Sequence, residues 1–203
     1  MEQIELVTLI ATAMGVAWAS GINLYAAIFI LGYMGYTGAA TLPPELQILS
    51  TIPVMVAAGF MYCVEFFADK IPGVDTGWDA IHSFIRIPAG AMLASAAIAP
   101  LGPEAELAGL IIGGALSAGS HFTKAGGRVL INTSPEPFSN GVTSVAEDVI
   151  VIAGLWAALN HPWLFIVALV LMVAAFAWLM PKIWRGIKGV FGKIAGYFRS
   201  GKA

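Results

Sequence analysis

Charge is scarce in this chain. Of 203 residues only 11% are Asp, Glu, Lys or Arg, where an average soluble domain has roughly 25%. Hydrophobic residues make up 59%, and the mean hydropathy is +0.84. A water-soluble fold of this size would lack the polar residues to cover itself, so surplus apolar surface is expected to face lipid. Cysteine is almost absent. Cys63 stands alone, which excludes an intrachain disulfide and a cysteine metal site. The first residues carry Glu2 and Glu5 but no Lys or Arg. The basic start of a cleaved signal peptide is therefore missing, and the first apolar segment is read as part of the mature protein. Soluble-enzyme signatures are missing too: no phosphate-binding loop, no dinucleotide fingerprint, no H-E-x-x-H and no G-x-S-x-G. No cofactor and no metal centre are expected.

What is present is a set of uncharged runs. Residues 6–44, 46–64, 87–103, 107–123 and 149–181 contain no Asp, Glu, Lys or Arg. A bilayer-spanning helix needs roughly 20 apolar residues. Residues 4–36 as one straight helix would be about 50 Å long, against a hydrocarbon core of about 30 Å. A break is expected at Ser20-Gly21-Ile22-Asn23, because Gly and Asn tolerate non-helical backbone. Residues 37–50 read as a loop and 51–68 as the second span. Asp69-Lys70-Ile71-Pro72-Gly73 ends that span. A third helix, 77–99, starts at Thr76, which with Asp79 makes a capping-box pattern, and is kinked at Pro88. The fourth runs from Pro103 to 132, with an interruption at Gly119-Ser120-His121. A loop at 133–140 precedes a fifth span at 141–159. Pro162 opens the sixth, which Pro181 closes.

These readings give an all-α polytopic membrane protein with about six spans. With six crossings, all ten Lys and Arg fall on one side, which the positive-inside rule makes cytoplasmic, and the C-terminus with it. If residues 4–36 form a re-entrant hairpin instead, only the N-terminus changes side. The transmembrane domain is 1–181, followed by a basic tail at 182–203. That tail has Ile183, Ile187, Val190, Ile194 and Phe198 at helical spacing and suits the anionic inner leaflet, so lipid rather than nucleic acid is its expected partner.

An internal repeat is expected between 4–100 and 104–181. GVAWASGINLY at 15–25 aligns with GGALSAGSHFT at 113–123, matching Gly15 to Gly113 and Gly21 to Gly119. Three spans per half would make the repeat inverted, with interrupted helices at matching positions. Small-residue stripes at Gly109, Gly113 and Ser117 and at Ala11, Gly15 and Ala19 suit close helix packing, within the chain or in a homo-oligomer.

Two polar stripes carry the candidate chemistry. Asp75, Asp79, His82 and Arg86 share one helix face; His121, Lys124 and Arg128 share another. Glu65, Asp69, Glu147 and Asp148 lie at the cytoplasmic ends of their spans, where the set would form a polar vestibule. Substrate contacts are expected from Asn23, His121, Lys124, Arg128, Arg86, Asp79 and His82, and proton coupling from Glu65, Glu147 or Asp148. Gly21 and Gly119 mark the two breaks. The bland reading stands beside this one: snorkelling side chains, and ion pairs of Glu65, Asp69 and Asp148 with Lys70, Lys124 or Arg128. His161, at a turn, is read as structural.

The motifs SGINLY, EFFADKIPGVDTGWDAIHSFIRIPAGA and HFTKAGGRVLINTSPEPFSN resemble the bacterial membrane proteins grouped as domain of unknown function 4126. The resemblance covers roughly residues 8–180. It implies a small, multi-pass bacterial inner-membrane protein and brings no established activity with it. Two functions remain in view. One is a small transporter moving an anionic or lipid-linked substrate through the vestibule. The other is a non-transporting module that binds lipid or a partner protein. An intramembrane enzyme would rest on Asp79 and His82 alone, at a spacing that specifies little, and is not expected.

Overall fold

Residue Asn23 divides the first helix. In the computed structural model, which describes residues 3–71, 73–131 and 137–178, α1 spans Gln3–Tyr36, but Asn23 inside it has φ −149° and ψ 96°. Those are strand-like values, and they fit a helix N-cap. Asn23 Oδ1 accepts from the Ala26 N–H at 2.9 Å. One residue thus ends one helix and caps the next, as Asn does well. The break expected at 20–23 is present.

The loop at 37–50 consists of turns and a 3-10 helix, Pro44–Ser50. It leads into α2, Ile52–Ala68, with a bend of 67°. Helix α3 is Val74–Ile98 and α4 is Pro103–Ile131. Helix α5 is Pro137–Asn160, and α6 is Pro162–Trp178. Among the described residues every regular element is helical.

Several expectations need correcting. Helix α3 begins before Thr76. Gly73 precedes it at φ +86°, a conformation that suits glycine, and its N–H donates to Asp75 Oδ1 at 2.8 Å. Helix α4 is unbroken through Gly119-Ser120-His121. A lone Gly inside a helix costs only about 1 kcal/mol relative to Ala, and here the Thr123 hydroxyl holds the Gly119 carbonyl at 2.7 Å. Helix α5 starts within the expected 133–140 loop, with Pro137 in its first turn. The tail at 182–203, the stop at Pro181, the loop at 133–136 and the Thr76 side chain lie outside the described residues.

The chain divides into two compact units, Met1–Phe165 and Ile166–Ala203. The described part of the second, 166–178, is helical and mostly exposed. The first holds every residue of the candidate site. Its interior is unusual in kind. Alanines dominate the apolar core, and Arg86, Arg128, Glu65, His121 and Asn23 are among the largest fully buried side chains. Its exterior carries Phe60, Ile81, Phe84, Ile111 and Phe122, each largely exposed. Polar within and apolar without is the arrangement that lipid favours.

Contact order fixes helix direction within this unit. Ile98 faces Gly109, Ala94 faces Gly113, and Ser83 meets His121, so α3 and α4 are antiparallel. Gly15 faces Ala158, Gly154 faces Trp18, and Asn23 meets Asp148, so α1 opposes α5. Ala17 and Ala94 both lie by Gly113, and Ser20 lies by Gly90, so the first half of α1 opposes α3 as well. Gly113 lies by Ala17, Ser120 by Trp18 and Lys124 by Ile22, so the first half of α1 runs with α4. Beyond Asn23, Phe29 faces Gly59 and Gly32 faces Met55, so the second half of α1 pairs antiparallel with α2.

Three helices are long and apolar enough to cross a membrane, Gln3–Tyr36, Gly77–Leu101 and Gly141–Asn160; the bent pair through α2 brings the number to four.

Candidate functional site

The end of α2, the N-terminal half of α3, the C-terminal half of α4 and the start of α5 meet beside the break in α1. Each supplies ionisable groups. Arg86 reaches Glu65 Oε1 at 2.6 Å and Asp79 Oδ1 at 2.8 Å. Lys124 Nζ lies 2.9 Å from Asp69 Oδ2 and 3.3 Å from Glu65 Oε1. Arg128 holds Glu147 Oε2 at 2.6 Å and Asp69 Oδ2 at 3.4 Å, and donates to the Asp69 carbonyl at 2.8 Å. Among the described residues Arg86, Lys124 and Arg128 thus face Glu65, Asp69, Asp79 and Glu147, three cations against four carboxylates. Side-chain exposure is at most 4% throughout, except 17% at Glu147. The expected vestibule is therefore a closed network whose most open member is Glu147.

Helical spacing explains the convergence. Asp79 and Arg86 are two turns apart on α3, and Lys124 and Arg128 one turn apart on α4. The antiparallel pairing sets those two pairs opposite each other. The seam between the helices has little side chain in it: Gly90, Gly109 and Gly113 let the backbones approach. Ser117 Oγ–H donates across it to the Arg86 carbonyl at 2.9 Å.

Two contacts tie the network to the break in α1. Lys124 Nζ donates to the Ile22 carbonyl at 3.1 Å. Asn23 Nδ2 donates to Asp148 Oδ1 at 3.0 Å, and Tyr62 Oη–H donates to Asp148 Oδ2 at 3.0 Å. Among the described residues Asp148 makes no ion pair, unlike the four carboxylates of the network.

The histidines sit at the margin. His121 Nε2 lies 2.6 Å from Ser83 Oγ. Ser83 donates its own hydrogen to the Asp79 carbonyl at 3.0 Å, so the imidazole donates to Ser83. Nδ1 then accepts from Arg86 Nη1 at 3.5 Å. His82 stands apart, its Nδ1–H donating to the Trp78 carbonyl at 2.9 Å and its Nε2 facing Tyr25 Oη at 3.2 Å. Asp75 Oδ1 accepts from the Gly73 N–H at 2.8 Å. Lys70, outside the helices, donates to the Phe66 carbonyl and lies over its ring, and burial lowers its proton affinity below the usual lysine range.

Of the residues singled out by sequence, Glu65, Asp69, Asp79, Arg86, Lys124, Arg128 and Glu147 converge, with His121, Asn23 and Asp148 at their edge. Gly21 lies at the α1–α4 crossing, where an added Cβ would overlap Ser120 Oγ and the Ser117 carbonyl. Gly119 has nothing within 4 Å of such a Cβ and takes no part. Tyr62, Tyr25 and Ser83 went unmarked. Tyr62 lies one turn before Glu65, which was the available signal.

Fold and site together define a class: an all-helical protein with membrane-length apolar helices and a buried ionic network beside a helix break. The sequence matches the family described as a domain of unknown function, DUF4126, over residues 10–182, and the chain belongs to that family. No curated protein and no solved structure matches it.

Proposed function

We propose that the protein is a small membrane transporter in which the buried carboxylates carry a coupling proton past the break in α1. The observation that supports this reading is the pairing of Lys124 with the Ile22 carbonyl, one residue before the broken Asn23. Ionisable groups at membrane depth are costly and mark pathways, and interrupted helices are where transporters gather their ions. The substrate expected from sequence was anionic. Arg86, Lys124 and Arg128 are each already held by carboxylates, which outnumber them four to three among the described residues. An anion would have to displace those partners; a proton would not. The charge carried is therefore read as positive.

The same reading revises the topology. Six plain crossings need α1 and α3 to run the same way, yet in the first half of α1 Ala17 lies beside Gly113 with Ala94 and Ser20 lies by Gly90, so this half opposes α3. A hairpin at Asn23 resolves this. The first half of α1 enters, the second half returns, and α2 to α6 make five crossings. The N-terminus then lies opposite the cytoplasmic C-terminus, in the inner membrane of a bacterium. The segments 15–25 and 113–123 run in the same direction, so the support for an inverted repeat falls away.

A second reading is favoured by one observation: every cation of the network is paired, as in a purely structural module that binds lipid or a partner. One experiment separates the two. Purified protein is reconstituted into vesicles containing a pH-sensitive dye, and a proton gradient is applied. Transport predicts dissipation faster than in protein-free vesicles and slowed at least tenfold by Glu65→Gln. Dissipation equal to empty vesicles would sink the transport reading and leave the structural module.

A further inference from the structure

Among the described residues Asp148 is the buried acid of this region that no cation holds. Its Oδ1 accepts from Asn23 Nδ2 and its Oδ2 from Tyr62 Oη, each at 3.0 Å, and the residue is 8% exposed. Glu65, Asp69 and Asp79 instead lie against Arg86 or Lys124. A proton bound by one of those competes with a cation at hydrogen-bond distance. A proton bound by Asp148 competes with a neutral donor.

The two donors differ in what they allow. Asn23 is fixed in orientation, because its Oδ1 accepts from the Ala26 N–H at 2.9 Å and caps the second half of α1. Its Nδ2 therefore faces Asp148, and an amide nitrogen cannot accept a hydrogen bond. A proton on Oδ1 would meet that N–H head-on. Tyr62 is adaptable, since a phenol oxygen both donates and accepts. A proton on Oδ2 donates to Tyr62 Oη once the hydroxyl has turned away. Tyr62 is also the more exposed partner, half-buried where Asn23 is fully buried, which gives the turned hydroxyl room to find another acceptor.

We propose that Asp148 binds the proton, that it does so on Oδ2 beside Tyr62, and that losing its charge slackens the bond from Asn23 and so unties the break in α1 from α5. The role of that proton in coupling rests on the transport reading; its binding and the slackening do not depend on flux. The step balances. A lone pair of Oδ2 takes a proton from water, an O–H bond forms and the carboxylate loses its charge. Tyr62 keeps its own hydrogen and changes from donor to acceptor. Oδ1 becomes the carbonyl oxygen of the acid and still accepts from Asn23, but as a neutral bond, and charge-assisted bonds are roughly twice as strong as neutral ones. The cap on Ala26 is untouched. What weakens is the tie between two helices, not the helix beyond the break. The other charges that act on Asp148 are Lys124 on α4 and Asp69 and Lys70 beyond α2, all through space; Glu147, beside it on α5, is held by Arg128. Among the described residues none of these bonds to Asp148.

The test is infrared spectroscopy of purified protein in lipid bilayers, acidified in steps. The native chain is compared with Asp148→Asn, Asn23→Ser and Tyr62→Phe. The carboxylic-acid C=O band that grows in the native protein should lack one carboxyl's share in Asp148→Asn. Asn23→Ser keeps a capping oxygen but removes a donor to the charged acid. The Asp148 band should then appear about one pH unit higher, and at a higher frequency, because the acid carbonyl has lost its hydrogen bond. Tyr62→Phe should move the midpoint too but leave the frequency in place, since the carbonyl still accepts from Asn23. A frequency that answered to Tyr62 and not to Asn23 would put the proton on the wrong oxygen and overturn the proposal. A band unchanged by Asp148→Asn, or a midpoint unmoved by Asn23→Ser, would overturn it as well. Should Asp148→Asn fail to fold, the midpoint in Asn23→Ser decides alone. Vesicles that hold their proton gradient would sink transport and leave the infrared assignment standing, so the two proposals fail separately.

Discussion

Asn23 Nδ2 donates to Asp148 Oδ1 at 3.0 Å, linking the break in α1 to α5 across 125 positions of sequence. The same Asn side chain caps the second half of α1 through Ala26. One amide therefore serves two elements, and its loss should be felt in both. Asn23→Ala is expected to destabilise the protein by about 2–4 kcal/mol, the sum of a lost cap and a buried carboxylate deprived of a donor. Asn23→Ser keeps a capping oxygen and should lose about half as much. Denaturant titration of the two variants checks this. Equal losses would mean that the cap contributes nothing.

Asp148 accepts from two neutral donors and makes no ion pair among the described residues. A buried carboxylate so placed is costly when charged. Asp148→Asn should leave stability at neutral pH unchanged or raised by about 1 kcal/mol, since its amide oxygen still accepts from Asn23, its N–H can donate to Tyr62 Oη in place of the bond that Asp148 accepts, and no charge is buried. Proton flux in vesicles should fall at the same time. A strongly destabilised variant would show that Asp148 has an ionic partner in the membrane.

Arg86 and Glu65 form a pair with side chains 0% exposed. Removing one partner from such a pair costs about 3–5 kcal/mol, because the other is left charged and buried. Arg86→Met should fall in that range. Adding Glu65→Leu should recover part of the loss rather than add to it. A double-mutant cycle measures the coupling, and simple additivity would show the two groups to be independent.

Gly21 and Gly119 should respond in opposite ways, although sequence treated them alike. A Cβ at Gly21 meets the Ser117 backbone carbonyl and Ser120 Oγ; one at Gly119 meets open space. Gly21→Ala should destabilise by about 1–3 kcal/mol through overpacking, and Gly119→Ala should gain up to about 1 kcal/mol of helix propensity. Unfolding midpoints of the two variants decide it. Losses of equal size would restore the paired breaks.

Reporters at the two ends of the chain test the hairpin. The N-terminus should report from the periplasm and a fusion after Ala203 from the cytoplasm. Both on one side would restore six plain crossings.

How much of this was legible beforehand depends on range. The break at Asn23 was readable because Gly and Asn stand together in an uncharged run too long for a bilayer. The polar stripes were readable because helical spacing puts Asp79 with Arg86 and Lys124 with Arg128. Direction was not readable. Nothing local tells whether α1 runs with α4 or against it; that is decided where Gly21 admits the Ser117 carbonyl. The false break at Gly119 has the same origin. Composition marks where a helix tolerates interruption, but here the Thr123 hydroxyl donates to the Gly119 carbonyl, the Ser120 hydroxyl donates to the Trp18 carbonyl of α1, and the helix holds. The pairing of Arg86 with Glu65 also escaped, because the two lie on different helices, 21 positions apart.

The glycine-lined seam between α3 and α4 has a mechanical consequence. With so little side chain between the backbones, a shift of one helix along the other would drive Ala94 and Ile98 into main chain, so the pair behaves as a single beam. That beam carries Arg86, Lys124 and Arg128, while Glu65 on α2 and Asp69 at its end belong to the arm that begins at Asn23. The ionic network is then a clasp between a stiff part and a hinged one. On the proposed transport reading, a proton that reached Glu65 would weaken its pairs with Arg86 and Lys124 and so release the arm rather than the beam.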